Sequence, residues 1–363
     1  MSFLKKIFNT KEEPINNYND FWNWFQKNEK AFFKVLKGNG DVEKDFFNKL
    51  SPKLNELRDG YFFLTGMMND STAELVLTAD GAIKNIVFVE ELVGAAPLIE
   101  GWKFTALKPA LGIEDVVIKM ADYKFSKDEL SFYYTEDSNF PDEIDITVIH
   151  KDLNEKNKDV VTNGTYIFLD NFLGELNFAT TIDHINVIGK DKVEKELIPI
   201  EKLKDFLIWR EKEFVEKYNG TRHNTENDNY SMLEAQIEGG KPLVAVINTD
   251  LLNWDTKASH PWILAIEVKF LGDENGLPND VYLGKLNELE EDLLNQLKDS
   301  DGYLNIGRET ANSLRIIYFA CKDFRKPSKI AEEIMFNYED RFVITFDIYK
   351  DKYWQSFNRF VGN

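Results

Sequence analysis

The stretch NQLKDSDGYLNIGRETANSLRIIYFACKD, residues 295–323, has the pattern of a helix end followed by two strands. A turn containing Asp and Gly precedes an aromatic residue and a short strand, and a polar turn separates that strand from the apolar run LRIIYFAC. Residues 55–81, NELRDGYFFLTGMMNDSTAELVLTADG, show the same order. A helix and then a strand with aromatic residues follow each copy. The order helix, strand, strand, helix, strand therefore occurs twice.

This internal similarity predicts two related modules, each an antiparallel sheet with helices packed on one face. Few residues are identical between the copies, so chance similarity between two α+β segments is the alternative. In either case the fold class is α+β, with two or three such modules along the chain.

The polar run NGTRHNTENDN, residues 219–229, contains no apolar residue and predicts a linker. Beyond it, residues 230–363 form the predicted C-terminal domain, which opens with two strands joined at Gly239 and Gly240, a hairpin signal. Before it, we expect an N-terminal α+β module over 1–110 and a middle α+β region over 111–218 that packs on that module. A strand, WILAIEVKF, and a helix, VYLGKLNELEEDLLNQLKD, lead into the stretch quoted first.

The 363-residue chain is strongly acidic, with 44 Lys and Arg against 63 Asp and Glu and a net charge of −19. This charge repels nucleic acid and anionic membrane surfaces, and it favours a basic protein partner. No apolar run approaches the ~20 residues of a membrane-spanning helix. A short amphipathic anchor at Phe3, Leu4, Ile7 and Phe8 is disfavoured because it buries little area. The single cysteine, Cys321, lies in an apolar run and fits a buried residue in a reducing compartment. We expect a cytoplasmic protein.

The loop GDENGLPND, residues 272–280, carries several side-chain oxygen donors. It fails as an EF-hand calcium loop because essential glycine or acidic positions are occupied by other residues in either register. Backbone geometry explains it better. Gly276 permits a left-handed turn, and Asn279 or Asp280 can cap the helix that follows. We therefore expect a connector between a strand and a helix.

No phosphate-binding loop, serine nucleophile elbow or metal-binding histidine spacing occurs in the sequence, so we expect no cofactor and no metal. His223 lies in the predicted linker and should be exposed to solvent. His260 precedes a proline and should be an extended turn residue at the mouth of a strand. Trp254 and Trp354 stand among polar residues, and we expect both to be partly exposed, as at a protein interface. The candidate binding residues are Trp254, His260, Trp262, Asp273, Asp280 and Trp354.

From about residue 229 to 360 the chain resembles a bacterial family of unknown function, catalogued as domain of unknown function 695. The resemblance rests on the segments GGKPLVAVINTDL, HPWILAIEVKF, LRIIYFACKD and YKDKYWQSFNRF, and above all on ENGLP before LNELEEDLLNQL. The upstream segment ELVLTADGAIKNIVFVEELVGAAPLIEGWKFTALKP is similar to one found ahead of this domain in such proteins. The resemblance implies an α+β, ferredoxin-like C-terminal domain and implies no activity, cofactor or catalytic residue. A looser similarity, in acidity and topology, links such domains to regulator B of ribonuclease E, which acts by binding an enzyme.

Three classes of function follow from these observations. The first is a non-catalytic interaction or regulatory protein, such as an inhibitor or an immunity-like factor. The second is an enzyme that acts on a small or basic substrate, for which Asp273, Asp280, His260 and Trp262 form the local candidate cluster. The third is a ligand-binding module without chemistry. The sequence does not predict the oligomeric state.

Overall fold

A computed structural model describes residues 14–361 of the chain, so the short anchor considered at residues 3–8 lies outside the described part. The chain divides into two compact units, residues 1–109 and residues 110–363. Within the described residues, no helix has both the length and the apolar content needed to cross a membrane.

From residue 14 onward, the first unit contains three α-helices and a three-stranded sheet. The helices are α1 (Tyr18–Lys34), α2 (Asn48–Leu57) and α3 (Ile83–Gly94), and the strands are β1 (Phe62–Asn69), β2 (Thr72–Thr78) and β3 (Trp102–Ala106). Strand β1 pairs antiparallel with β2, and β2 pairs parallel with β3. Aromatic side chains fill the space between helices and sheet; the rings of Phe25 and Trp102 meet edge to face at 5.0 Å.

The second unit begins with the middle region. The strands of this region are β4 (Ile118–Met120), β5 (Tyr123–Phe125), β6 (Leu130–Thr135), β7 (Asp145–His150), β8 (His184–Gly189) and β9 (Ile198–Pro199). The last four of them form a sheet in the order β8-β7-β6-β9. Its helices are α4 (Lys158–Leu173), α5 (Glu175–Thr181) and α6 (Leu203–Tyr218). The run 115–125 forms the separate hairpin β4–β5. The apolar pattern of residues 163–178 would fit a single helix, but α4 ends at Leu173 because Gly174 has a φ of 81°.

The C-terminal region of this unit forms a six-stranded sheet. The strands are β10 (Tyr230–Gln236), β11 (Pro242–Asn248), β12 (Trp262–Lys269), β13 (Tyr303–Ala311), β14 (Leu314–Cys321) and β15 (Val343–Lys350). Their order in the sheet is β10-β11-β13-β14-β12-β15. The helices are α7 (Thr249–Leu252), α8 (Asp280–Gln296) and α9 (Arg325–Asn337), and a 3-10 helix, Gln355–Phe360, follows β15. All neighbouring strands are antiparallel.

The predicted order helix, strand, strand, helix, strand is present in both regions, as α2-β1-β2-α3-β3 and as α8-β13-β14-α9-β15. The pairing of the last strand differs between the two copies. In the first unit β2 pairs directly with β3. In the C-terminal region β12 lies between β14 and β15 and pairs with both. The α+β class is therefore confirmed. The elements β12-α8-β13-β14-α9-β15 have the β-α-β-β-α-β order of a ferredoxin-like motif, and the named fold itself stays a prediction.

Both faces of the C-terminal sheet are covered. On one face Trp262 of β12 packs against Phe324, next to α9, with the ring centroids 5.0 Å apart. On the opposite face Ile263 and Ala320 belong to a core that includes Trp354 and Phe357. The second face is covered by α7 and the C-terminal 3-10 helix because these short elements follow strand ends and fold back over the sheet.

Candidate functional site

Three of the six candidate residues meet in one buried cluster on the face that the 3-10 helix covers. The ring of Trp254 lies 5.4 Å from the ring of His260 and 6.1 Å from that of Trp354. The Trp354 Nε1–H donates a hydrogen bond of 3.0 Å to the carbonyl oxygen of His260. Trp254 is half-buried, as predicted, but Trp354 is only 1% exposed, so the prediction of its partial exposure is wrong. The residues after β15 fold back and cover its ring.

His260 is held as a neutral imidazole inside this cluster. Its side chain is completely buried, and burial, followed by the nearby charges of Arg222 and His223, lowers the pKa of His260 to about 4. The Ser259 hydroxyl donates to the Thr256 carbonyl oxygen at 2.6 Å and lies 2.8 Å from His260 Nδ1. Because that hydroxyl proton is already used, Nδ1 carries the ring proton and donates to Ser259. The His260 ring therefore packs in this cluster as a neutral group.

His223 is partly buried, whereas its place in the predicted linker predicts exposure to solvent. Its Nε2 lies 2.8 Å from Asp228 Oδ2, and its ring lies 5.2 Å from that of Trp254. The Asp228 carboxylate also accepts a hydrogen bond of 2.8 Å from Asn248 at the end of β11. The polar run 219–229 is thus bonded to the C-terminal sheet through its side chains.

The other three candidate residues lie elsewhere. Trp262 points to the opposite face of the sheet, where it packs on Phe324. Asp273 and Asp280 follow the far end of β12, a strand of 8 residues. Such a strand spans about 23 Å. His260 and Asp273 lie beyond its opposite ends and are therefore far apart. The six residues do not form a single site.

The loop 272–280 is built by its own backbone. Asp273 Oδ1 accepts hydrogen bonds of 2.9 Å from the N–H groups of Asn275 and Leu277. Gly276 has a φ of 79°, and a Cβ at this position would lie 2.7 Å from the Cα of Asn312. Of the two cap candidates the structure selects Asn279, whose Oδ1 accepts from Tyr282 N at 3.0 Å. Asp280 is the first residue of α8, so the connector interpretation holds.

Among residues 14–361, no group of three or more His, Cys, Asp or Glu side chains is arranged to hold a metal ion. The histidines serve other purposes. For example, His150 is completely buried, with Nε2 3.0 Å from the carbonyl oxygen of Lys124.

A cleft between α9 and β15 has the features of a binding surface. Its volume is about 580 Å³. Phe336, which is 72% exposed, and Val343, which is 63% exposed, form its apolar surface together with Met335 and Phe342. Its charged lining residues are all acidic and comprise Glu332, Glu333 and Glu339. We name this surface the acidic cleft. It can accept an apolar side chain flanked by positive charges.

The acidic cleft adjoins the edge of the six-stranded sheet. Strand β15 is the last strand in the sheet order and pairs only with β12 among the described residues. An edge strand presents backbone N–H and C=O groups that can pair with a further strand. Sequence reasoning missed this surface because strand order is not visible in the sequence. A bulky apolar residue, Phe336, between Glu333 and Glu339 was the available local signal.

A buried charge cluster joins the middle region to the C-terminal region within the second unit. The Asp183 carboxylate forms ion pairs with two lysines. Lys350 Nζ lies 2.9 Å from Oδ1, and Lys352 Nζ lies 2.7 Å from Oδ2. Burial raises the pKa of Asp183, but the charges of the two lysines outweigh burial and hold the pKa below its usual value. Burial lowers the pKa of Lys350 to about 8. Sequence reasoning missed this cluster, because its residues are far apart in the chain.

A second carboxylate extends the same contact. Asp142 Oδ2 accepts hydrogen bonds from the hydroxyl groups of Tyr353 at 2.6 Å and Tyr218 at 2.7 Å, and Lys217 lies 2.8 Å from Oδ1. Burial alone would raise the pKa of the Asp142 carboxyl group, but these hydrogen bonds outweigh burial and hold the pKa below its usual value. Both aspartates are therefore ionised, and they fix the middle region to the segment that follows β15.

Comparisons with known proteins give a match for part of the chain. No curated protein matches it, and no solved structure matches it. The looser similarity to regulator B of ribonuclease E is not confirmed. The match lies where the sequence resemblance placed it. Residues 228–361, the C-terminal part of the chain, match the model of a family of unknown function, DUF695.

Proposed function

We propose that this protein is a non-catalytic protein-binding factor whose acidic cleft receives an extended, basic segment of a partner protein. The observation that carries the proposal is the presence, in one place, of acidic side chains, exposed apolar side chains and a sheet edge. Each of these features occurs alone on many surfaces, but together they match the requirements of strand addition to an edge strand.

The chemistry of the partner segment follows from the lining of the cleft. The backbone of the segment would pair with β15, and an apolar side chain would cover Phe336 and Val343. Lysine or arginine residues on either side would lie near Glu333 and Glu339. The net charge of −19 would speed the encounter with such a segment at low salt.

The proposal is tested with a labelled nine-residue peptide in which lysine and valine alternate. Fluorescence anisotropy with the full chain should show binding that weakens as salt is raised. A matched peptide with glutamate in place of lysine should not bind. A lysine–valine peptide with central prolines should bind at least ten times more weakly, because proline has no N–H to donate to the edge strand.

Matched charge variants separate the acidic cleft from the overall acidity of the chain. Glu333→Lys combined with Glu339→Lys should weaken binding of the lysine–valine peptide at least tenfold. Glu234→Lys combined with Glu238→Lys makes the same change in net charge in and just after β10, at the opposite edge of the sheet. If this control pair weakens binding equally, the cleft is not the binding site and the proposal fails.

The alternative of an enzyme near residues 260–280 gains no support from the geometry. His260 is neutral and buried at one end of β12, and Asp273 uses its carboxylate to shape the loop at the other end. We therefore propose no second function.

A further inference from the structure

The backbone of β15 is bonded at one position by a side chain of the same strand. The N–H of Ile348 donates a hydrogen bond of 3.0 Å to Asp347 Oδ1. In an edge strand, a backbone N–H points either to the neighbouring strand or to the open edge. The direction of the Ile348 N–H therefore decides whether Asp347 acts on the edge that receives the partner segment.

A backbone hydrogen bond just beyond β15 gives this direction. Asp351 N donates to the carbonyl oxygen of Pro261 at 2.8 Å, so the backbone of Asp351 faces the β12 side. In an antiparallel pair, the backbone groups of successive residues point alternately to the two sides of a strand. Counting back from Asp351, the odd-numbered residues of β15 face β12. The even-numbered residues, among them Ile344 and Ile348, face the edge.

The pairing of β12 with its other neighbour gives the same result. Phe270 N, one residue beyond β12, donates to the carbonyl oxygen of Ser313, next to β14, at 3.0 Å. The even-numbered residues of β12 therefore direct their backbone groups to β14. Leu264, which lies opposite Ile348 in the register, is one of them. The Ile348 N–H thus points away from β12 and toward the edge, where Asp347 accepts its hydrogen bond.

Strand addition is opposed at this point and beyond it. A partner carbonyl oxygen that approached the Ile348 N–H would meet the carboxylate oxygen of Asp347, and both oxygens are acceptors. Farther along, the Nζ of Lys350, the last residue of β15, donates to the carbonyl oxygen of Thr181 at 3.0 Å, so the middle region lies against that end of the strand. Ile344, by contrast, belongs to the lining of the acidic cleft.

We propose that Asp347 determines the length of the partner segment. The segment pairs with β15 only between the acidic cleft and Asp347, and it is therefore a short strand of about five residues, at ~3.4 Å each. Partner residues beyond Asp347 make no backbone hydrogen bonds to β15. This inference rests on the proposed function, because it concerns the extent of the same strand pairing.

Peptides of two lengths test the limit with the full chain. The short probe has the sequence lysine-valine-lysine-valine-lysine. Each long probe carries an uncharged threonine-valine pair at its amino or its carboxyl end, so that both strand directions are covered. All three probes have blocked termini and the same charge. Fluorescence anisotropy should give the wild-type chain equal affinities for the short and the long probes, because the added pair finds no backbone partner.

Two variants separate the hydrogen bond from the charge. Asp347→Ala and Asp347→Asn both remove one negative charge, but only Asp347→Ala removes the acceptor of the Ile348 N–H. In Asp347→Ala, one of the long probes should bind about fivefold more tightly than the short probe, because one further backbone hydrogen bond can form. In Asp347→Asn, the probes should still bind equally. Amide hydrogen exchange of Ile348 in the free protein should be faster in Asp347→Ala than in the wild type or Asp347→Asn. Circular dichroism verifies that both variants are folded.

The outcomes distinguish this inference from the proposed function. A long probe that binds the wild-type chain about fivefold more tightly than the short probe overturns the length limit. So does an Asp347→Ala chain that binds all three probes equally. Both results leave the acidic cleft as the binding site. If no probe binds the wild-type chain, or if Glu333→Lys combined with Glu339→Lys leaves binding of the short probe unchanged, the proposed function fails and the length limit fails with it.

Discussion

Lys352 and Asp183 form a buried ion pair, with 2.7 Å between Nζ and Oδ2, that connects the segment after β15 to the start of β8. The Lys352 Nζ also donates a hydrogen bond of 2.6 Å to the carbonyl oxygen of Asp142. Together with Lys350, these groups place two ammonium groups on one carboxylate in a site that excludes solvent.

Replacing Asp183 with Asn should therefore lower the free energy of unfolding by about 3–5 kcal/mol, because both lysines lose their counter-charge while remaining buried. Urea denaturation at pH 7 measures this change. Glu155→Gln is the control, since it removes an exposed ion pair with Lys192 and should leave the urea midpoint almost unchanged. A loss below 1 kcal/mol for Asp183→Asn would show that the cluster does not hold the two regions together.

His260 should make the protein less stable in mild acid. Its pKa is about 4 in the folded state against 6.5 for a free histidine, so between these values the unfolded chain binds a proton that the folded chain excludes. Stability from this residue is complete above pH 6.5 and falls as the pH drops toward 4, by at most about 3 kcal/mol. Urea midpoints at pH 7.0, 5.5 and 4.5 measure the loss. In His260→Phe the decline across this window should be shallower, and an unchanged slope would contradict the assignment.

The N-terminus of α8 offers a direct test of the cap. Asn279→Ala should destabilise the protein by about 1 kcal/mol, because Tyr282 N loses its hydrogen-bond acceptor. Asp280→Ala removes only a favourable charge near the positive end of the helix dipole and should cost about 0.5 kcal/mol. Thermal unfolding of both variants compares them. A larger loss of stability for Asp280→Ala than for Asn279→Ala would contradict the assignment of Asn279 as the cap.

Gly276→Ala tests the loop in a different way. The residue has a positive φ, and the added Cβ would lie 2.7 Å from the Asn312 Cα in the β13–β14 turn. We expect a loss of about 1–3 kcal/mol from backbone strain and this close contact. Gly284→Ala in α8 is the control, because nothing lies within 4 Å of the place that its added Cβ would occupy and alanine favours a helix. Equal unfolding midpoints for the two variants would contradict the proposed strain.

The sequence predicts most helices and strands because their apolar residues recur with the period of each element. It misses β9, α7 and the 3-10 helix Gln355–Phe360, which are too short for a period to appear. Gly174 ends a helix whose apolar pattern continues beyond it. The polar neighbours of Trp354 in the chain predict an exposed side chain. They do not determine the sheet face on which this side chain packs.

The candidate sites show the same limit more strongly. One cluster contains Trp254, His260 and Trp354, and it forms only because the chain after β15 folds back over the sheet. Asp183 and Lys350 are 167 positions apart, and no local pattern relates them. The acidic cleft depends on which strand occupies the edge of the sheet, and the strand order results from pairing between distant segments.

The position of β12 has a consequence for biosynthesis. Residues 262–269 leave the ribosome before either of the strands with which they pair, and the later of these strands ends at Lys350. The nascent chain must therefore carry an apolar strand with one edge unpaired until β15 has been synthesised. Chains released early, for example by a premature stop before residue 343, would expose this strand to aggregation and to cellular proteases.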